Sequence, residues 1–379
     1  MSNIPKLRFP EFKGEWEEKR FSEIVYLENE RDVCKKSDYI TTENLNKDYA
    51  GVTFNTNSNE IVPGIKYLKD DILFGNIRPY LKKVWQADRN GCVNSDVLVF
   101  KIIKDNSKFI NNIICSDLFL SHVMNGAKGT KMPRGDKNQM MDFIAKIPSL
   151  PEQQKIADFL SNVDSIITAE TKILNTLQKK KKALMQKLFT RQLRFKSDDG
   201  KDFPAWEEKK LGECVEILDS QRKPIESKER ANRKGEYPYY GASGIIDYID
   251  DYLFEGESIL LGEDGANIIN RNSRLAFIAT GKYWVNNHAH IMKTNADNLN
   301  YFICEYLESL DYSKICAGSA QPKLTQDVIR NLTIKAPCKE EQQKIADCLS
   351  SLDSLIQTQQ KVVTTWQQRK KALLQQMFV

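Results

Sequence analysis

The sequence predicts an α+β protein built as two mixed α/β globules, each followed by a long helix. Three observations carry this. The heptapeptide EQQKIAD occurs twice, at 152–158 and 341–347. Each copy opens a stretch without glycine or proline in which apolar residues recur at coiled-coil spacing. The regions preceding the copies hold short apolar runs cut by Gly, Asn and Asp, the pattern of strands and turns.

The repeat is far longer than seven residues. With the chain shifted by 189 (341 less 152), Leu160 meets Leu349, Asp164 meets Asp353, and Lys181-Lys182-Ala183-Leu184 meets Lys370-Lys371-Ala372-Leu373. Upstream, Pro148 falls on Pro337, Pro133 on Pro322 and Gly129 on Gly318. A second similarity precedes each half: FKGEWEEKRFSEIV from Phe12 matches FPAWEEKKLGECV from Phe203, and Leu7-Arg8-Phe9 returns as Leu193-Arg194-Phe195. The chain is a tandem duplication of a two-part unit. The divisions fall at 1–150 (first globule), 151–192 (central helix), 193–338 (second globule) and 339–379 (C-terminal helix).

The helical segments have a heptad seam. In the first copy it comprises Ile156, Leu160, Val163, Ile167, Leu174, Leu177, Leu184 and Leu188, with Glu170 and Lys181 at its polar positions. The second copy supplies Ile345, Leu349, Leu352, Ile356, Val363, Trp366, Leu373 and Met377, with Gln359 and Lys370 matching. Pro151 suits a helix start, where its missing N–H is not needed. About 38 residues at 1.5 Å each make a rod of about 57 Å. Such a rod cannot bury its stripe alone, so the two copies are expected to pack on each other; the sequence leaves their direction open. Strand-like runs in the globules are DILFGNIRPYLKKVW (71–85), CVNSDVLVF (92–100) and SILLGEDG (258–265).

Composition narrows the class. The 379 residues suit two domains, with 41% hydrophobic and 28% charged residues, a soluble globular balance. No apolar run approaches the roughly 18 residues of a membrane span, and MSNIPKLRFPEF lacks a signal-peptide pattern. The eight cysteines are scattered without a CxxC, which reads as reduced thiols in a cytoplasmic protein. Net charge is +5, and 179–196 alone carries eight basic residues and no carboxylate. That segment fits a solvated helix face and a phosphate-facing surface equally well.

No catalytic constellation emerges. NIRPY (76–80) lacks the paired prolines of an amino-methyltransferase motif and reads as a turn; GAKGTK (126–131) is not a phosphate-binding loop, and GASG (241–244) is not a nucleophile elbow. His288 and His290 have no metal-ligand partners at recognisable spacing, and a structural role is expected for them. No metal site is assigned. What remains is recognition chemistry. Arg78, Lys82, Lys83, Lys128, Lys131, Arg134 and Lys137 fall on expected loops of the first half. Arg271, Asn272, Arg274, Asn286, Asn287, Gln321 and Lys323 do so in the second. Arg pairs with guanine, Asn and Gln with adenine, and Lys and Arg hold phosphate. Tyr239 and Tyr240 are candidates for packing on sugars.

Taken together, the two EQQKIAD helices, Trp16 and Trp206 in their entry segments, the Gly-to-Pro stretches, YYGASGIIDYIDDYLFEG (239–256) and WVNNHAH (284–290) resemble the specificity subunit of Type I restriction–modification systems. The resemblance implies target-recognition domains at 1–150 and 193–338, each reading half of a split, asymmetric site in double-stranded DNA. It implies an antiparallel coiled coil, with an approximate two-fold axis, that spaces the domains. It further implies no catalysis and no cofactor in this chain. Two modification subunits would carry S-adenosylmethionine and methylate adenine. Two motor–nuclease restriction subunits would use ATP and Mg. The alternative is a coiled-coil assembly scaffold without DNA readout.

Overall fold

The computed structural model describes residues 4–55, 58–316 and 322–378. The chain divides into two compact units, residues 1–172 with 360–379 and residues 173–359. The two long helices, Leu150–Phe189 and Lys339–Met377, each belong partly to both.

In the first unit, strands Val25–Leu27, Val97–Ile102, Ile72–Gly75 and Val84–Gln86 form a four-stranded antiparallel sheet in that spatial order. A second sheet orders Arg31–Lys35, Ile61–Tyr67, Gly91–Val93 and Tyr39–Ile40, the last pair parallel. Helices Ser107–Ile114 and Asp117–Asn125 cover the first sheet, capped by Asn106 and Ser116 side chains that accept from backbone N–H groups. Phe21, Phe100, Phe109 and Phe119 centre the core, which also takes Ile156 and Leu160 from the first long helix and Met377 and Phe378 from the end of the second.

The second unit repeats this plan. Its first sheet orders Val215–Ile217, Ala289–Thr294, Ser258–Gly262 and Ala276–Ala279. Its second orders Gly244–Ile249, Lys234–Gly241, Lys282–Val285 and Phe254–Glu255. The core of this unit takes Met185 and Leu188 from the end of the first long helix and Ile345 and Leu349 from the start of the second. Within each unit, then, the start of one long helix packs beside the end of the other: the helices run antiparallel. All sixteen seam residues are buried or half-buried. The polar seam lysines have acidic partners: Lys370 Nζ lies 2.6 Å from Asp164 Oδ1, and Lys181 Nζ lies 2.7 Å from Asp353 Oδ1.

The duplicated heptapeptide is a clamp. Glu152, buried at the helix start, accepts from Arg8 Nε (2.7 Å), Arg8 Nη2 (2.8 Å) and Trp16 Nε1 (3.3 Å). Gln153 donates to Asp105 Oδ1 (2.8 Å) and Pro148 O (2.9 Å) and accepts from Asn106 N (2.9 Å). Gln154 donates to Asp158 one turn on, Lys155 pairs with Glu11, and Ile156 and Ala157 enter the core. The second copy repeats every one of these roles: Glu341 with Arg194 and Trp206, Gln342 with Pro337 O and Leu299 N, Gln343 with Asp347, Lys344 with Asp198. Most of the seven residues have a partner in the entry segment or globule, and the third and last pair with each other along the helix.

One backbone bond shows how the repeat closes. Leu193 N–H donates to Lys187 O (3.1 Å) just past the first long helix. Leu7 N–H makes the same bond to Gln376 O (2.9 Å), although hundreds of residues separate them in sequence.

Candidate nucleic-acid interface

In both units the buried strand at the middle of the first sheet is followed at once by a polar residue, within ILFGN (72–76) and ILLGE (259–263). Matching backbone bonds frame the two ends. Asn76 N–H donates to Asp96 O (2.9 Å) and Glu263 N–H to His288 O (2.8 Å). Arg78 N–H donates to Pro133 O (2.7 Å) and Gly265 N–H to Pro322 O (3.1 Å). Gly135 N–H reaches Asn76 O (3.3 Å) and Leu324 N–H reaches Glu263 O (2.8 Å). Asn76 and Glu263 are therefore equivalent positions, as are Gly135 and Leu324. Neither Asn76 nor Glu263 stood out from sequence alone; the shared I-L-x-G with a differing last letter was the available signal.

The first unit gathers part of the expected basic group here. Lys128 and Arg134 exchange two backbone bonds of 2.9 Å, making a short hairpin laid against Asn76 and Ile77. A concavity of about 500 Å³ is lined by Asn76, Lys128, Arg134, Asp136, Lys137 and Asn138. Lys128 Nζ contacts Asp136 Oδ2 (2.7 Å) and Arg134 Nη2 contacts Asp96 Oδ1 (3.0 Å), yet both side chains remain largely exposed. The hydrogen bond from Lys128 holds Asp136 below its usual range. Arg78, exposed, starts the turn through Pro79–Leu81 with left-handed backbone, and Lys82 ends it likewise. Lys131 is exposed. Lys82 and Lys83 turn to other partners: Lys82 Nζ to Asp117 Oδ1 (3.2 Å), and Lys83 Nζ to the Thr42 carbonyl. Burial, then repulsion from Lys47, holds Lys83 below the ordinary lysine range.

The second unit is more self-satisfied. Lys323 bridges to Asp264 through the backbone, and its Nζ lies 3.1 Å from Glu263 Oε1. Arg222 Nη1 reaches Glu263 Oε2 at 2.8 Å. Beneath them His290 is fully buried, its Nδ1 2.5 Å from Asp219 Oδ2 and its Nε2 2.8 Å from Leu324 O. Burial is the largest single influence and works to raise Glu263 and Asp219, but Arg222, His290 and Lys323 together outweigh it at Glu263, and His290, the Ile291 N–H and Arg222 together outweigh it at Asp219, so both carboxyls sit below their usual values. His288 Nδ1 faces Asp264 Oδ2 (2.8 Å) at the surface.

The other expected residues divide. Asn272 and Asn287 are exposed, whereas Asn286 is buried and accepts from His288 N–H (2.8 Å). Arg271 pairs with Glu308 (2.9 Å); Arg274 pairs with Glu305 and donates to Ala276 O (3.1 Å). Gln321 lies outside the described residues. The expectation for Tyr239 is corrected: it is fully buried, its hydroxyl accepting from Ile225 N–H (3.0 Å), so it cannot pack on a sugar. The inward face of its strand, Lys234–Gly241, places it there. Tyr240, half-buried, stacks on Phe277. Among the described residues no group of three or more His, Cys, Asp or Glu side chains is placed to hold a metal, and no helix is long and apolar enough to cross a membrane.

The family model described as Type I restriction modification DNA specificity domain matches twice, at residues 13–179 and 205–365. A Haemophilus influenzae protein named as a type I restriction enzyme specificity subunit is 35% identical over 39% of this chain and 37% of its own length. The chain thus spans little more than a third of that relative. The MjaVIII specificity subunit of Methanocaldococcus jannaschii is 25% identical over 97% of this chain and 92% of its own. The crystal structure of a Type I restriction–modification S subunit from M. genitalium superposes with a TM-score of 0.62 at 16% identity, covering 99% of both chains, which establishes the shared fold. With the domain present in each half, the chain belongs to the specificity subunits of Type I restriction–modification systems.

Proposed function

We propose that this chain reads a split, asymmetric site in double-stranded DNA, one half per recognition domain, and performs no chemistry itself. The repeated helices serve as a spacer and as the seat of two modification subunits, which bind S-adenosylmethionine and methylate adenine. Two motor–nuclease subunits, using ATP and Mg, complete the restriction complex. The work takes place in the cytoplasm. One observation carries this reading: the two domains keep the same backbone frame at Asn76 and Glu263 but crown it with different side chains. A duplicated frame with divergent crowns suits two readers of different half-sites; a scaffold needs no such divergence.

Physically, exposed Lys128, Lys131, Arg134 and Lys323 supply phosphate contacts that fix register, while amides and guanidinium groups at the same sheet ends meet base edges. The test is a methylome of a methylation-free host expressing this chain with its modification subunit. A single bipartite motif methylated on adenine in each half is expected. A soluble, cofactor-binding complex that methylates no motif would favour the scaffold.

A further inference from the structure

Asn76 is nine-tenths buried at the floor of the first-unit concavity, and its side-chain carbonyl oxygen has no hydrogen-bond partner. A buried carbonyl left unpaired is unfavourable, and a persistent one points to a donor supplied from outside. The second unit shows the same position completed internally. Glu263 there has Arg222 and Lys323 as partners. The residue bonded to each backbone carbonyl differs too: Leu324, fully buried, at Glu263 O, and Gly135 at Asn76 O, where a Cβ at 135 would fall 2.9 Å from Asn76 Oδ1. The first unit leaves its buried amide oxygen unpaired where the second pairs its carboxylate.

We propose that Asn76 is a specificity-determining residue of the first recognition domain, pairing with the major-groove edge of one adenine. The amide offers an acceptor beside a donor. Adenine offers its N6 amino donor beside the N7 acceptor, so Oδ1 receives from N6 and Nδ2 donates to N7. Lys128, Arg134 and Lys137 ring the concavity, against the carboxylates of Asp96 and Asp136, and hold the flanking phosphates. This assignment rests on the split-site reading above and adds the residue and the base.

The test uses the full complex with its modification subunit and duplexes bearing the motif found by the methylome. The first domain's half-site is identified as the half that changes when 20–145 is exchanged. Each adenine of that half is replaced in turn by 7-deazaadenine, which lacks the N7 acceptor. One replacement is expected to weaken binding by the wild-type complex about tenfold, within the range for a lost bidentate contact. Asn76→Ala and the near-isosteric Asn76→Asp are expected to bind the unmodified duplex about tenfold more weakly and to ignore that replacement. The assignment is overturned if no adenine in that half is sensitive in the wild-type complex, a result that needs no variant to fold. It is overturned equally if either variant, shown folded by its melting curve, stays sensitive. A wild-type complex that methylates no split motif overturns the underlying reading instead.

Discussion

Arg8 grips Glu152 through two nitrogens, Nε at 2.7 Å and Nη2 at 2.8 Å, and Arg194 repeats the grip on Glu341. The carboxylates are almost wholly buried. The pair ties a segment that enters each globule to the start of a long helix, so it sets how the recognition domain sits on its helical support. Glu152→Ala strands the Arg8 guanidinium and the Trp16 N–H. Breaking a buried pair costs about 3–5 kcal/mol; Arg8 is 13% exposed and regains some water, so the loss is expected at about 3 kcal/mol. Calorimetry of the variant should show the first unit melting about 6–12 °C lower. A change under 2 °C contradicts the clamp.

The two seam lysines separate burial from spacing. Lys181 and Lys370 occupy one repeat position, but Lys181 is 8% exposed, with Asp353 Oδ1 at 2.7 Å and Glu305 Oε2 at 2.8 Å, the latter an ion pair rather than a directed hydrogen bond. The Asp164 partner of Lys370 is 49% exposed. Lys181→Met leaves buried Glu305 with less compensating charge and is expected to destabilise by about 3 kcal/mol. Lys370→Met is expected to cost at most about 1 kcal/mol, as for surface pairs. Denaturant unfolding of both variants checks the order, and equal effects contradict it.

Acid should find the second unit's polar floor. Glu263 and Asp219 titrate below their ordinary values of 4.5 and 3.8 in the folded protein. A depressed folded value means the ionised form is the one the fold favours. The contribution is full above the unfolded value and is lost as pH falls through the folded one. Glu263→Gln is therefore expected to lower the melting temperature most at pH 6–7. The gap to wild type should narrow below about pH 4.5 as the native carboxyl takes up its proton. Melting curves from pH 7 to 3 read this, and a gap that widens in acid contradicts it.

The helical repeat sets a length prediction. A heptad inserted at matched places in both long helices, within 160–185 and its counterpart, adds about 10 Å of helix. That is about three base pairs at 3.4 Å each. The methylome of such a variant should show a longer unread gap between unchanged half-sites. Exchange of 20–145 should change the letters of one half and leave the gap. An insertion that alters letters instead contradicts the division of labour.

Much of the architecture was written locally. Unbroken heptads and an exact repeat register define both long helices, because helix formation and seam burial depend on residues three and four apart. ILFG and SILLG read as buried strands for the same local reason. The crown of each domain was not written that way. Arg271 and Arg274 have the residue types of base readers, but tertiary neighbours Glu308 and Glu305 claim them. Tyr239 has the type of a surface aromatic, and its strand turns it inward. Asn76 gives no local sign of distinction. It gains one only because residues 128–136 fold back against it, with Gly135 beside its amide and its carbonyl oxygen left without a partner. Whether a polar side chain is spent inside the protein or left for a ligand depends on donors and acceptors brought from distant sequence, and only the folded chain decides that.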